Sequence, residues 1–150
     1  MSEHEEWKTP ELITAAEVMT PSPRTCSTFS TVLEAVMIFR ETDCGAVPIL
    51  AEGKVVAILT DRDVALAIPD YPDLIHRPVS DIMKEGVVAV GPNDNLAAVC
   101  EALQSHIVRR VLVIDPTSQT VLGIIGWADI APFLTDRAMG RIVKDAVLPA

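Results

Sequence analysis

The sequence predicts a mixed α/β fold of two pseudo-symmetric halves, each a small three-stranded sheet with two helices, the sheets packed on one another. Three observations predict it. The 150-residue chain is 49% hydrophobic, enough for a sizeable core. It carries an internal repeat, first visible in Val18-Met19 and Ile82-Met83, 64 positions apart. Within each repeat, apolar residues at helical spacing alternate with short apolar runs bounded by turn residues.

Residues 1–12 are acidic and polar, with no cationic start and no apolar stretch of a secretory signal, and read as a flexible terminus. The first half spans 13–68. Val32, Ala35, Val36 and Phe39 follow the i, i+3, i+4, i+7 pattern of an amphipathic helix. Val47-Pro48-Ile49 predicts a buried strand, with Pro48 confined to an edge or a strand start. Glu52-Gly53-Lys54 is turn chemistry, so Val56 to Leu59 returns as the second strand of a hairpin. Val64 to Ile68 predicts a second helix. Residues 69–78 hold Pro69, Pro72 and Pro78 and read as a linker, and Ser80-Asp81 as the N-cap of the next helix.

The second half, 79–135, repeats the first. Leu96, Val99, Cys100 and Leu103 restate the helical stripe, and Val111-Leu112-Val113 the strand. A longer turn, Asp115 to Gln119, makes the shift 66, so Leu122 to Ile125 matches Val56 to Leu59 and Asp129 matches Asp63. The matching helix is Ile130 to Leu134, where Pro132 is tolerable only near the start. Residues 136–150 form a tail; Met139, Ile142, Val143 and Val147 predict a C-terminal helix over 137–147. A half of about sixty residues has a marginal core by itself, which packing two halves together relieves.

The formal net charge of −9 argues against a phosphate-backbone binder, so no nucleic-acid partner is expected. No run approaches the roughly 18 apolar residues of a membrane span, and a cytoplasmic protein follows by default. Cys26, Cys44 and Cys100, with His4, His76 and His106, form no C-x-x-C or clustered pattern, so no metal is expected and the cysteines read as buried, reduced thiols. No G-x-S-x-G, G-x-x-x-x-G-K-[ST] or H-E-x-x-H is present and no catalytic group can be assembled, so no enzyme is expected.

The order V-M-T-P, amphipathic helix, G-A-V-P-I, A-I-L-T-D-R-D-V, repeated as D-I-M, R-R-V-L-V-I-D, G-I-I-G-W-A-D-I, resembles a pair of cystathionine-β-synthase (CBS) motifs over roughly residues 13–135. In length and tail the chain is similar to the stand-alone pairs of the mycobacterial hypoxic response type. The resemblance implies two symmetry-related clefts between the motifs, homodimers, and binding of AMP, ADP, ATP or a related adenosyl ligand to regulate a partner protein.

Thr60-Asp61-Arg62-Asp63 follows a strand and opens a helix, whose N–H groups suit a phosphate. The Asp63 carboxylate can accept both hydroxyls of a ribose, with the Thr60 hydroxyl as a second polar contact. The same spacing is also plain helix-capping chemistry, and the two roles are compatible. The resemblance further assigns Ile58 to the base, with Ala89 and the phosphate-binding pair Arg109 and Arg110 across the interface. For the second cleft it assigns Ile124 and Asp129, facing Thr20, Thr25, Gly45 and Ala46. Two positions depart from the family pattern: Ala57 stands for glycine near a tight turn, and Gly126 stands for threonine or serine, costing the second cleft a hydroxyl. Trp127 either stacks on a base or covers the core, the second being preferred. Two other functions remain open: a nucleotide-independent interaction module with vestigial clefts, and a cysteine-based redox or metal sensor.

Overall fold

The structure, a computed structural model, describes residues 11–106 and 108–133. In chain order the elements are α1 (Ala15–Val18), β1 (Thr20–Pro21), β2 (Cys26–Ser27), α2 (Val32–Thr42), β3 (Ala46–Ala51), β4 (Lys54–Thr60), α3 (Asp61–Ala67), β5 (Ala89–Val90), α4 (Leu96–Ser105), β6 (Arg110–Ile114), β7 (Val121–Gly126) and α5 (Trp127–Ile130). They divide into two compact units. The first is Pro23–Val87; the second joins the stretch ending at Ser22 to the chain beginning at Val88.

In the first unit the sheet order is β2-β3-β4. Helix α2 starts in a capping box: the Thr31 hydroxyl accepts from the Glu34 N–H at 3.1 Å, and the Glu34 carboxylate accepts from the Thr31 N–H at 3.0 Å. It buries Val32, Ala35 and Ile38, with Val36 and Phe39 partly buried against the same core. Strands β3 and β4 form a two-residue hairpin in which Glu52 (φ 52°) and Gly53 (φ 80°) both take the left-handed conformation that matches the twist of the strands. Pro48 sits one residue before β2 joins β3, at Ile49, so β3 still has only one partner there.

The second unit repeats this arrangement almost bond for bond. Val47 pairs with Leu59 and Pro48 with Ile58; Val111 pairs with Ile125 and Leu112 with Ile124; each hairpin then shifts register at the same place, Ile49/Leu50 and Val113/Ile114. One difference follows from proline chemistry. The Leu112 N–H donates to Val88 O at 3.0 Å, drawing β5 alongside from Ala89. The repeat-related residue is Pro48, which has no N–H to give. The longer β6–β7 turn is held by the Asp115 carboxylate, which accepts from the Ser118 and Thr117 N–H groups at 3.0 and 2.8 Å; those bonds draw its pKa below the usual value. The sheet order here is β1-β7-β6-β5, a fourth strand being added by Thr20–Pro21 where the sequence predicts three.

That strand belongs to a wider exchange. Each repeat is completed by the segment that precedes the other. Leu96 N–H donates to Ile13 O and Ala15 N–H to Asp94 O; correspondingly, Val32 N–H donates to Arg77 O and Val79 N–H to Ser30 O. Ile13, Ala15 and Val18 are buried in the core of the second unit, and Val79 in that of the first.

Three local expectations change accordingly. Ser80-Asp81 is not an N-cap but lies inside a 3-10 helix, Val79–Asp81, because the Ser80 N–H is drawn to Thr28 O at 3.3 Å and the Asp81 carboxylate to Arg77 at 3.2 Å. Residues 69–78, read as a linker, are largely exposed yet anchored: Leu74 is buried, and the Arg77 guanidinium bonds Asp73 and Asp81 and stacks 4.8 Å from the Tyr71 ring centre. The helix placed at 130–134 begins earlier, at Trp127, and continues as a 3-10 helix over Ala131–Phe133 that contains Pro132. Leu134, the tail helix over 137–147 and residues 1–10 lie outside the described residues.

Gly123, in β7, is fixed by Met19: a β-carbon there would lie 2.7 Å from Met19 Cγ and 2.9 Å from its Cβ. Ala57 is its repeat counterpart; it lies wholly buried in β4 opposite Ile49, away from the hairpin turn. Gly123→Ala is therefore expected to destabilise the protein by about 1–3 kcal/mol, the usual cost of overpacking a core. A urea titration checks this; an unchanged midpoint would show that Met19 moves aside freely.

Candidate functional site

The β4–α3 junction assembles the strongest candidate. Along β4, Ala57 and Leu59 are fully buried, so Ile58 and Thr60 alternate onto the other, half-exposed face. At Thr60 the chain turns into α3. The Thr60 hydroxyl accepts from the Asp63 N–H at 3.2 Å, and Asp63 Oδ2 accepts from the Thr60 N–H at 2.9 Å. The capping reading is thus realised, and it orients the carboxylate. Among the described residues nothing donates to the other oxygen, Oδ1, of this half-exposed group. Arg62 is exposed on the first turn of α3.

Gly45 borders this junction for a steric reason that the sequence does not show. The Asp61 N–H donates to Gly45 O at 2.9 Å, and a β-carbon on Gly45 would lie 2.7 Å from Asp61 Oδ2. Ala46 pairs with Thr60 in the hairpin register. Asp61, named in the sequence only as part of the Thr60-Asp61-Arg62-Asp63 turn, is thus what requires glycine at position 45.

The β7–α5 junction is the repeat-related counterpart. Asp129 Oδ2 accepts from the Gly126 N–H at 2.8 Å, and the Thr20 hydroxyl lies 3.5 Å from Asp129 Oδ1, a long and weak contact. Thr20 reaches it because β1 pairs with β7, placing Thr20 opposite Ile124. Gly126 has room for a side chain: a β-carbon would meet Arg109 O at 3.6 Å and Arg110 Cγ at 3.7 Å, ordinary contacts. Trp127 is partly buried against the core of this unit.

The structure thus brings together Ile58, Thr60, Arg62 and Asp63 with Gly45 and Ala46 in the first unit, which also holds Thr25. It brings together Thr20, Ile124 and Asp129 in the second, which also holds Ala89, Arg109 and Arg110. Arg110 opens β6 opposite Gly126.

Cys26 and Cys100 are buried, and burial pushes both thiols above their ordinary pKa; Cys44 is half-buried with its sulfur 3.6 Å from Ala46 O. Among the described residues no group of three or more His, Cys, Asp or Glu side chains could hold a metal ion. A thiol reagent at neutral pH is expected to label Cys44 first, with Cys26 and Cys100 reacting only on unfolding, since the thiolate is the reactive form. Rapid labelling of all three in the native protein would contradict this and revive a redox role.

Two repeats, each ending its hairpin in a carboxylate-bearing helix start, define a tandem regulatory module. A family model for the CBS domain matches residues 15–70 and 79–136, and the chain belongs to that family. It is 30% identical over 115 residues to the CBS domain-containing protein YhcV of Bacillus subtilis (strain 168), covering 77% of this chain and 81% of that one. It is 27% identical over 140 residues to Hypoxic response protein 1 of Mycobacterium tuberculosis, covering 92% and 96%. The crystal structure of Hypoxic Response Protein I with two coordinated zinc ions matches with a TM-score of 0.71, over 81% of this chain and 99% of that one, at 27% identity. The CBS domain pair of protein MJ0100, solved with 5′-methylthioadenosine and S-adenosyl-L-methionine, shares the fold with a TM-score of 0.70 at 23% identity, over 79% and 97%. Among the described residues no helix is long and apolar enough to cross a membrane.

Proposed function

We propose that the protein senses an adenine nucleotide (AMP, ADP, ATP or a related adenosyl ligand) and passes its binding state to a partner protein, with no chemistry of its own. The observation that carries this reading is the Asp63 carboxylate. It is held rigidly through Oδ2, with Oδ1 accepting no bond among the described residues, beside the Thr60 hydroxyl and the half-exposed Ile58. A carboxylate so placed accepts hydroxyls of a ribose, and an aliphatic side chain beside it gives the base an apolar surface. The adenosyl compounds bound to the similarly folded MJ0100 pair support the ligand class. Arg62, Arg109 and Arg110 are the cations proposed for the phosphate, with Ala89 at the base. Thr20, Ile124 and Asp129, with Thr25, Gly45 and Ala46, are proposed for the second site. The same reading places the protein in the cytoplasm, where such nucleotides are held.

Calorimetry with AMP, ADP, ATP, S-adenosylmethionine and NADH tests it. At least one is expected to bind with a dissociation constant below about 1 mM, a free energy of roughly −4 kcal/mol. Failure of all five would leave the nucleotide-independent interaction module in its place.

A homodimer belongs to the same reading. Phe29, ahead of α2, is 86% exposed, and Leu33 and Met37, one turn apart on α2, are also exposed, an apolar surface of the kind that self-association covers. Light scattering is expected to exceed the 16.2 kDa of one chain at tens of micromolar. A monomer at that concentration would count against it.

A further inference from the structure

The two sites differ at a position outside their strand-to-helix junctions. In the second unit the segment before the first repeat runs beside β7: Thr20 stands opposite Ile124, the Ser22 N–H donates to Leu122 O at 2.9 Å, and the Thr20 hydroxyl reaches toward Asp129. The first unit repeats the alignment. The Gly86 N–H donates to Val56 O at 3.0 Å. Lys84 is the repeat counterpart of Thr20, 64 positions on, and the Gly86–Val56 bond, carried back two residues, would bring it alongside Ile58, although no strand is formed there. Lys84 is exposed, and Ile58 is on the half-exposed face that also carries Thr60. At the place where one site has a hydroxyl against its carboxylate, the other has an ammonium on a flexible stem.

Two other positions of the junctions differ in the same sense, whereas Arg109 and Arg110, given above to the phosphate of the Asp63 site, stand where the first unit has Gly45 and Ala46. Arg62 on α3 corresponds to Ala128 on α5, and Thr60 to Gly126. At these positions the first unit therefore carries two cations, Arg62 and Lys84, both exposed. The second offers at the matching positions one methyl and one hydroxyl.

We propose that Lys84 is the residue that makes the Asp63 site select a phosphorylated nucleoside, and that Thr20 at the matching position leaves the Asp129 site to adenosyl ligands without a phosphate. The inference rests on the adenosyl reading above and adds to it a ligand class for each site. An ammonium beside a carboxylate that already holds the ribose is within reach of the phosphate on the 5′ carbon. A threonine hydroxyl supplies no charge and is too short to follow it. Charge-assisted contacts of this kind are about twice as strong as neutral ones.

The test is calorimetry with AMP and with adenosine on the wild type, Lys84→Thr and Thr20→Lys, each variant exchanging the residue for its repeat counterpart. Both positions are exposed, so both variants should melt with the wild type. Lys84→Thr is expected to weaken AMP about tenfold at the tighter site and to change adenosine by less than about twofold. Its AMP affinity should also lose part of its dependence on ionic strength. Thr20→Lys is expected to give the weaker site a preference for AMP over adenosine. Equal weakening of AMP and adenosine in Lys84→Thr, or no change in either, would overturn the role of Lys84 while leaving the adenosyl reading intact. Absence of binding of both compounds to the folded wild type would overturn this inference, and the adenosyl reading falls with it only if ADP, ATP, S-adenosylmethionine and NADH also fail to bind.

Discussion

Asp63→Ala is expected to abolish the tighter of two nucleotide-binding events, whereas Asp129→Ala leaves that event nearly intact. The argument runs through the partners of the two carboxylates. Each is anchored through Oδ2 by the backbone N–H of its helix cap, Thr60 or Gly126, at 2.9 and 2.8 Å. They differ at the second oxygen. Asp63 Oδ1 accepts no bond among the described residues, while Asp129 Oδ1 has the Thr20 hydroxyl 3.5 Å away. A ribose arriving at Asp129 must displace that contact; one arriving at Asp63 displaces only water. The Asp63 site also keeps the Thr60 hydroxyl, which Gly126 lacks, a hydrogen bond worth about 0.5–1.5 kcal/mol net, or roughly 2- to 13-fold in affinity. Arg62, replaced by Ala128 in the other repeat, adds a charged partner for phosphate. Together these effects set the sites about tenfold apart or more. Titration of the two variants beside the wild type decides the matter. Loss of the tight event in Asp129→Ala would reverse the assignment and make stacking on Trp127 the better account. Because the Asp63 carboxylate also accepts from the Thr60 N–H, Asp63→Asn serves as a control that keeps an acceptor for the cap while removing the charge.

A chain beginning at Pro23 is expected to lose the native second unit, although every residue of its α4, α5, β5, β6 and β7 is retained. The segment removed buries Ile13, Ala15 and Val18 in that core, supplies strand β1, and accepts the Leu96 N–H at the start of α4 through Ile13 O. Burying one Ile or Val side chain is worth about 1.5–3 kcal/mol. The two together, with the backbone bonds, approach the roughly 5–15 kcal/mol by which a domain is stable. The change also removes Trp7 and leaves Trp127, partly buried against the second-unit core, to report on that core. Red-shifted Trp127 emission and a lowered urea midpoint are expected. A chain beginning at Glu11 should behave as the full-length protein. Native-like unfolding of the shorter chain would show that the exchanged segment is dispensable.

The repeat, the two hairpins, the two long helices and the Thr60–Asp63 cap were all readable from the residues. Each depends on neighbours close in the chain. Helical spacing puts Val32 and Ala35 on one face, a glycine in the left-handed region closes the β3–β4 turn, and a threonine three residues before an aspartate caps a helix. The doubled shift of 64 and then 66 located the longer second turn correctly, and the structure shows both hairpins bulging at the same step.

What escaped the sequence is long-range. No local pattern states that residues 13–22 complete the second repeat while residues 77–86 complete the first, because the pairing of Ile13 with Leu96 or of Gly86 with Val56 is settled by which surface each segment can bury. For the same reason the proline-rich stretch 69–78 looked like a linker. Proline content reports backbone preference, whereas the burial of Leu74 and the clasp of Arg77 on Asp73 and Asp81 depend on side chains brought near by the fold. At the candidate sites, residue type alone revealed the two carboxylates, Asp63 and Asp129. The resemblance set Thr20 against the Asp129 cleft, but only the tertiary structure showed how it gets there, through the pairing of β1 with β7 across about a hundred residues of chain, a separation at which sequence periodicity carries no register.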